Sequence, residues 1–206
     1  MRTQIQNHFE TIADGLADSG YAVVDDFLSL DEVEEILSLR AFDSASFRKA
    51  AIGKEGRQVN EAIRGDSILW IDKETAELHL KKYLTRIDAL RSFLNQNLYL
   101  SLKDFEAHLA RYPPGSFYKR HLDQFKSDDH RRISVITYLN NNWKENEGGH
   151  LRMYPENRSE DFLPLAGRLV CFRSDQIEHE VLPATRERLS ITGWLLDQFS
   201  DLRHLK

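Results

Sequence analysis

Residues 112–123 read Tyr-Pro-Pro-Gly-Ser-Phe-Tyr-Lys-Arg-His-Leu-Asp, in which a turn-forming Pro-Pro-Gly leads into an extended run. In an extended strand, the side chains of residues i and i+2 project from the same face. The side chains of His121 and Asp123 can therefore reach one point in space. One imidazole and one carboxylate supply two of the three ligands in the facial triad that suits non-haem Fe(II). The rest of the functional interpretation depends on a third ligand farther along the chain.

The second histidine of such a triad must come from a separate strand, and the chain has eight histidines. His179 follows His121 by 58 residues (179 − 121), which leaves room for several strands to return it to the same point. His108 lies in an expected strand and is interpreted as a half-buried structural histidine. His150, which follows two glycines, stays an alternative. We predict His179 as the third ligand.

An arginine follows the predicted distal ligand after nine residues (188 − 179). In the segment that it opens, apolar or small residues alternate with a cation, two hydroxyls and an indole: Leu189, Ile191 and Gly193 against Arg188, Ser190, Thr192 and Trp194. A polar face on a core strand is costly unless it lines a cavity that supplies partners. Because a planar guanidinium suits bidentate binding of a carboxylate, the pattern predicts an organic acid as co-substrate.

Length and charge restrict the class of protein. The 206 residues suffice for a single domain, 1–206, with a substantial core. A formal net charge of −5 gives no positive field for nucleic acid, and no stretch approaches the ~20 apolar residues of a membrane span. Cys171 is the only cysteine, which excludes an internal disulfide and a cysteine zinc cluster. We expect a cytoplasmic protein that binds neither nucleic acid nor membrane. The sequence does not fix its oligomeric state, and a monomer is the simplest expectation.

The hydrophobic period changes along the chain, from helical in the first half to alternating in the second. Apolar residues at steps of three and four predict helices over about 1–19 and 74–96. The tract at about 44–66 has no sustained period and is predicted as a functional mobile loop or as an inert solvated one. From Asp104 the period is two, in short runs separated by turn residues: 116–123, 132–140, 149–153, 167–173, 179–182 and 188–196. The sequence predicts an α+β fold with helical support over 1–100 and an all-β sandwich or barrel over 101–197.

These motifs, taken in order, resemble the Fe(II)- and 2-oxoglutarate-dependent dioxygenases, whose pattern is His-x-Asp, a distal His and a basic residue shortly after it. The resemblance is closer to one branch, the prolyl hydroxylases related to those that modify hypoxia-inducible factor, and especially their bacterial relatives. It covers roughly residues 60–196, in the segments 63–66, 70–71, 112–123, 138–140, 148–152, 179–181 and 188–194. It implies a double-stranded β-helix (jelly-roll, cupin-like) core with supporting N-terminal helices.

The resemblance also implies a role for each matching residue. The implied Fe(II) ligands are His121, Asp123 and His179. Arg188 is implied to bind the distal carboxylate of 2-oxoglutarate, in a pocket that also includes Tyr138, Thr192, Tyr112 and Leu151. The implied substrate contacts are Tyr118 and Trp194, which flank the prolyl ring, and Arg131, which holds the peptide backbone. The tract at 44–66 resembles a loop that closes over the peptide, and its end would be stabilised by an ion pair between Arg64 and Asp66.

The activity that the resemblance implies is hydroxylation of a protein proline, coupled to oxidative decarboxylation of 2-oxoglutarate to succinate and CO2. The implied cofactors are Fe(II), 2-oxoglutarate and O2, with ascorbate as an accompanying reductant. Bacterial relatives in this branch act on a translation elongation factor, so elongation factor Tu is the expected substrate. The alternatives are a hydroxylase of a free amino acid or other small molecule, a nucleic-acid demethylase of the wider superfamily, and a sensor that binds metal and 2-oxoglutarate without turnover. The acidic balance argues against nucleic acid, and the long loop argues for a peptide.

Overall fold

The structure, a computed structural model, describes residues 3–42, 47–50, 63–124, 129–156 and 158–199. These residues form helices that pack on one of two facing antiparallel sheets, an α+β arrangement. The helices are α1 (Gln4–Asp18), α2 (Leu30–Leu37) and α3 (Leu78–Leu98), with 3₁₀ turns at Arg40–Phe42 and Glu145–Glu147. The strands are β1 (Tyr21–Val24), β2 (Arg48–Lys49), β3 (Ser67–Trp70), β4 (Asp104–Tyr112), β5 (Tyr118–His121), β6 (Arg131–Tyr138), β7 (Leu151–Tyr154), β8 (Glu160–Phe162), β9 (Leu169–Arg173), β10 (Glu178–Val181) and β11 (Arg188–Leu196).

The first two helices begin at residues that satisfy their free backbone amides. At α1, Thr3 accepts a hydrogen bond from the amide of Gln6 at 3.3 Å. At α2, Ser29 and Glu32 form a reciprocal capping box. In the described part of the chain, no helix is both long and apolar enough to cross a bilayer.

The strands alternate between the two sheets in the manner of a jelly roll, the double-stranded β-helix that the resemblance implies. The major sheet has the order β1-β9-β6-β11-β4-β3-β2, and the minor sheet has the order β5-β10-β7-β8. The chain passes from β4 in the major sheet to β5 in the minor sheet, then back to β6. It makes the same exchange again from β9 through β10 to β11. These exchanges bring the end of β5 and strand β10 against the major sheet, where Asp123 bonds to Ser134 of β6 and the His179 ring lies 4.6 Å from the Phe172 ring of β9.

Alternation along β11 divides the core into two parts. Ile191 and Leu195 belong to a cluster that the helices cover, together with Ile87 and Leu90 of α3. The opposite face looks into the space between the sheets. That space holds a second cluster, which includes Ala110, Tyr112, Ile136, Tyr138, Leu151, Met153, Val170 and Phe172. The polar residues that the sequence analysis placed on one face of residues 188–194 therefore line the interior of the roll.

Three local features differ from the sequence expectation. The long helix begins at Leu78 rather than at 74, because the amides of Glu74 and Ala76 bond to Asp72 and hold this segment in a turn. The strand β8 is short and acidic, and the alternation pattern does not predict it. Asp123 does not lie in a strand, because β5 ends at His121 and a bend follows.

The predicted mobile loop at about 44–66 falls only partly on described residues. Arg48–Lys49 pair with β3, whereas 44–46 and 51–62 lie outside the described residues. The mobility of this loop and the assignment of 1–206 to one catalytic domain both stay predictions.

Candidate active site

The predicted triad meets at one point between the sheets. His121 is the last residue of β5, Asp123 follows it in a bend, and His179 lies on β10, directly opposite His121 in the antiparallel pairing of these strands. One potential ligand atom from each residue lies within 4.8 Å of the other two. Asp123 and His179 are buried, and His121 is partly exposed. Two imidazoles and one carboxylate that converge on one point match the facial triad of non-haem Fe(II) sites.

Backbone carbonyls orient both imidazoles for metal binding. The Nδ1 atom of His121 lies 2.7 Å from the carbonyl oxygen of Lys119, and Nδ1 of His179 lies 3.3 Å from that of Ile177. A carbonyl can only accept, so this arrangement places the proton on Nδ1 and leaves the lone pair on Nε2. The Nε2 atoms are the ones that face Asp123, at 3.4 Å for His121 and 3.7 Å for His179.

Burial and hydrogen bonding set the protonation states that a metal requires. Burial lowers the pKa of His179 to about 4, so this imidazole is neutral near pH 7. Burial alone would raise the pKa of Asp123, but the two neighbouring imidazoles and the hydroxyl of Ser134 outweigh it and hold the pKa well below its ordinary value. The site therefore offers one carboxylate and a neutral distal imidazole, as a divalent cation requires.

A buried guanidinium lies in the same interior on the major sheet. Arg188 is 2% exposed, and its Nε donates to the carbonyl oxygen of Gly149 at 3.0 Å. Its Nη2 and the hydroxyl of Tyr138 are both buried, and neither has a hydrogen-bond partner among the described residues. The guanidinium carbon lies 4.9 Å from the ring centre of Tyr138 and 5.2 Å from that of Tyr112. The Nη2 atom of a buried cation and a buried phenol, both without partners among the described residues, fit a ligand carboxylate, which would satisfy both.

The other residues predicted for the co-substrate pocket share this interior. Tyr112 pairs with Arg188 across β4 and β11, and Leu151 is fully buried in the core between the sheets. The hydroxyl of Thr192 lies 3.1 Å from that of Ser190 on the same face of β11. Gly149 has φ +72°, and a Cβ there would lie 2.9 Å from the Trp143 ring. Glycine at this position lets the chain approach the arginine closely.

Tyr118 and the Arg64–Asp66 pair form one wall beside the triad. The Tyr118 ring stacks on the His121 ring, with centroids 3.7 Å apart, and the Arg64 guanidinium lies 4.3 Å from the Tyr118 ring centre. Arg64 also donates two hydrogen bonds to Asp66, at 2.7 and 2.6 Å, and the Asp66 side chain is fully buried. The expected ion pair is therefore present, and it reaches the iron-ligand candidate through Tyr118.

Trp194 and Arg131 form another part of the wall. The Arg131 guanidinium lies 3.5 Å from the Trp194 ring centre and donates two hydrogen bonds to Glu106, at 3.0 and 2.9 Å. Arg131 thus has an internal carboxylate partner that the sequence analysis does not predict. Its proposed contact with a peptide backbone stays a prediction.

Sequence reasoning missed two features of this interior. His108 is 3% exposed rather than half-buried, because its ring is enclosed by Trp70 and Trp194 at centroid distances of 5.1 and 5.5 Å. Burial lowers its pKa to about 3. The buried hydroxyl of Ser134 donates to Asp123 at 2.6 Å, and no sequence motif signals this contact. The alternation of β4 could have placed His108 on the interior face.

His150, the alternative third ligand, is not part of the triad. Its Nε2 atom lies 3.2 Å from Oε1 of Glu145.

Comparisons with known proteins agree with this geometry. A family model described as the 2OG-Fe(II) oxygenase superfamily matches residues 107–196, which contain the triad and Arg188. Human Egl nine homolog 1 is 35% identical over 188 residues, which are 86% of this chain and 44% of the human protein. The chain spans about half the length, or less, of the curated relatives that it matches first.

Two solved structures are similar over nearly the whole chain. A Pseudomonas putida prolyl-4-hydroxylase is 42% identical with a TM-score of 0.84, covering 93% of this chain and 100% of that one. A Trichoplax adhaerens prolyl hydroxylase, in complex with a peptide fragment of the hypoxia inducible factor oxygen degradation domain, is 32% identical with a TM-score of 0.85, covering 94% and 91%. The chain belongs to the 2OG-Fe(II) oxygenases and, within them, to the prolyl hydroxylases. This family uses Fe(II), 2-oxoglutarate and O2.

Proposed function

We propose that this protein is an Fe(II)- and 2-oxoglutarate-dependent hydroxylase of a prolyl residue in a protein. The observation that carries the proposal is a His-Asp-His triad at the minor sheet that faces, across the interior between the sheets, a buried arginine lacking a carboxylate partner among the described residues. The names of the relatives support the prolyl substrate, and the peptide complex of the Trichoplax adhaerens relative supports a protein rather than a free amino acid.

The proposed roles follow from the positions of the side chains. His121, Asp123 and His179 would bind the metal through Nε2 atoms and a carboxylate oxygen. When bound, iron with 2-oxoglutarate and O2 supplies the oxidising chemistry that yields succinate and CO2. The protein's part is to hold the ligands in the correct tautomer and the carboxylate ionised, and to surround the reacting centre with side chains that exclude water.

On the major sheet, Arg188 would bind the distal carboxylate of 2-oxoglutarate, with the Tyr138 hydroxyl as a second donor. Burial raises the pKa of Tyr138, so its phenol keeps the proton that it would donate. Tyr112, Thr192 and Leu151 would form the remaining walls of this pocket. A carboxylate held by a guanidinium and a phenol in a dry interior is fixed in orientation as well as in position.

Substrate binding is assigned to the opposite end of the cavity. Tyr118 and Trp194 would flank the prolyl ring, Arg131 would hold the peptide backbone, and the pair of Arg64 and Asp66 would stabilise the end of the loop that covers it. Elongation factor Tu is the proposed substrate, on the resemblance to bacterial relatives. The proposed setting is the cytoplasm, with the protein as a monomer and ascorbate as the reductant.

The test is an anaerobic load with Fe(II) and 2-oxoglutarate, followed by O2, with succinate and product mass measured. Elongation factor Tu, its proline-containing peptides, the same peptides with Pro→Ala, and free proline are compared as substrates. We expect succinate to rise with elongation factor Tu and its proline-containing peptide but not with the Pro→Ala peptide or free proline, together with a product heavier by one oxygen atom. His179→Ala should abolish both signals, and His79→Ala, at a histidine of α3 that bonds to Glu35 of α2, should change neither. Turnover with free proline but no peptide would instead indicate a small-molecule hydroxylase, and binding without turnover a sensor.

A further inference from the structure

Behind the triad lies a pair of serine hydroxyls that the proposed reaction does not itself require. Ser134 Oγ donates to Asp123 Oδ2 at 2.6 Å, and Ser134 Oγ lies 2.9 Å from Ser174 Oγ. Both serines are completely buried, and Asp123 is 7% exposed. A buried hydroxyl that bonds to a potential metal ligand is placed to control the geometry of that ligand.

The direction of hydrogen bonding along the pair is fixed by the carboxylate. An ionised carboxylate only accepts, so the single hydroxyl proton of Ser134 goes to Asp123. The contact between the two serines must then be donated by Ser174. The result is an ordered series from Ser174 to Ser134 to Asp123 Oδ2, in which each hydroxyl has one defined orientation.

Ser174 also restrains the backbone beside the carboxylate. Its carbonyl oxygen accepts from the amide of Gln124, the residue after Asp123, at 3.2 Å, and its own amide donates to the carbonyl of Arg132 at 3.1 Å. Asp123 follows β5 of the minor sheet, whereas Ser134 lies on β6 and Ser174 follows β9, both of the major sheet. Ser174, in the turn after β9, thus anchors both the main chain and, through Ser134, the side chain at the candidate metal site.

We propose that Ser134 and Ser174 are positioning residues that fix the Asp123 carboxylate for the metal. Ser134 bonds to Oδ2, and Ser174 bonds to Ser134, while Oδ1 lies 3.4 Å from Nε2 of His121. Without the hydroxyls the carboxylate can rotate, and metal binding must then order it. The inference rests on the metal centre of the proposed function, but it requires no particular substrate.

The experiment measures the Kd for Mn(II) by electron paramagnetic resonance of the free ion, with no turnover. Ser134→Ala should raise this Kd about 10- to 100-fold, the usual effect of losing a hydrogen-bond partner of a metal ligand. Ser134→Thr keeps a hydroxyl and should restore the Kd to within a few-fold of the wild type. Ser174→Ala should raise it by less, since Ser174 acts through Ser134.

A matched control is available on the same strand. Thr137 is also fully buried, but its hydroxyl lies 3.0 Å from that of Tyr83 on α3, on the face away from the site. Thr137→Val should lower the Tm of the metal-free protein without changing the Kd for Mn(II). This variant separates loss of a buried hydroxyl in general from loss of the hydroxyl that bonds to Asp123.

An unchanged Kd in Ser134→Ala would overturn the proposal. So would a weakened Kd that Ser134→Thr fails to restore, because the effect would then come from packing and not from the hydroxyl. If Ser134→Ala does not fold, Ser174→Ala and Ser134→Thr decide the question in the same assay. Wild-type protein that binds Mn(II) but hydroxylates no proline would refute the proposed function and leave this test intact.

Discussion

Replacing Arg188 by methionine tests whether the buried guanidinium binds the carboxylate of a ligand. A buried arginine that already has a carboxylate partner contributes to stability, and its loss costs about 3–5 kcal/mol because the partner is left uncompensated. No such partner lies among the described residues, and Nη2 has no hydrogen bond. Arg188→Met should therefore affect the ligand-free protein very differently from an ordinary core arginine.

The magnitude follows from the contacts that the structure shows. Removing an uncompensated buried charge relieves about 3–5 kcal/mol. The variant loses one charged hydrogen bond to Gly149, about 1.5–3 kcal/mol, and the attraction to the rings of Tyr138 and Tyr112, about 0.5–2 kcal/mol. Over these ranges the ligand-free protein should lose at most about 2 kcal/mol of stability and gain at most about 3 kcal/mol. Binding of 2-oxoglutarate should weaken by about 3 kcal/mol, more than 100-fold in Kd.

The assay combines urea unfolding of the ligand-free protein with calorimetric titration of 2-oxoglutarate into the Mn(II)-loaded protein. Arg186→Met is the control, because the Arg186 side chain is 40% exposed, pairs with Glu147 and lies 4.7 Å from the Trp143 ring centre. Its Kd for 2-oxoglutarate should stay within about twofold of the wild type, as expected for a surface change. The reasoning is refuted if Arg188→Met binds 2-oxoglutarate as the wild type does, or if it loses 3–5 kcal/mol of stability without ligand.

Three further predictions concern stability around the cavity. Because burial holds the folded-state pKa values of His108 and His179 at about 3 and about 4, against 6.5 in the unfolded chain, the unfolded state binds more protons between these values. The metal-free protein should lose stability as the pH falls from about 6.5 to about 4, and His108→Leu should reduce that dependence in urea unfolding. Arg64→Ala should cost about 3–5 kcal/mol, because it leaves the Asp66 carboxylate buried without its partner. Gly149→Ala should weaken 2-oxoglutarate binding by calorimetry and lower the Tm, because the residue has φ +72° and its Cβ would meet Trp143 at 2.9 Å.

Each of these predictions has a control and an opposing result. A pH dependence that is identical in His108→Leu would show that His108 takes up no proton on unfolding. The double variant Arg64→Ala/Asp66→Asn should recover part of the lost stability, and no recovery would mean that the guanidinium acts through packing alone. For Gly149→Ala, the same substitution at Gly115, where a Cβ would meet nothing within 4 Å, separates backbone strain at positive φ from the clash.

The triad and the buried interior position of Arg188 were predictable from the sequence because few residue types can perform the chemistry that such a site requires. Iron ligation restricts the candidates to histidines and carboxylates. The intervals from His121 to His179 and from His179 to Arg188 can be read directly from the sequence. The alternation from Arg188 to Trp194 also predicted the interior face of β11, which the two core clusters confirm. The jelly-roll class followed from the resemblance and is confirmed by the sheet order.

Contacts between distant and common residue types were not predictable. Ser134 and Ser174 lie 40 residues apart, and they meet only because β6 pairs with β9. His108 is more buried than expected because β4 has neighbours on both edges, β3 and β11, which bring a tryptophan from each side. The sequence predicts a strand but not which strands pair with it. It therefore predicts neither the contact between the two serines nor the packing of two tryptophans on His108.

The division of the site between two sheets has a mechanical consequence. The candidate metal ligands lie on or just after β5 and β10, and the carboxylate-binding candidates lie on β6 and β11. In the proposed function, one small dicarboxylate would span the gap and join the layers as a removable crosslink. The affinity for that molecule would then depend on the distance between the two sheets. A substitution at Met153, in the apolar core between the sheets, should change co-substrate binding without altering any residue proposed to contact the co-substrate.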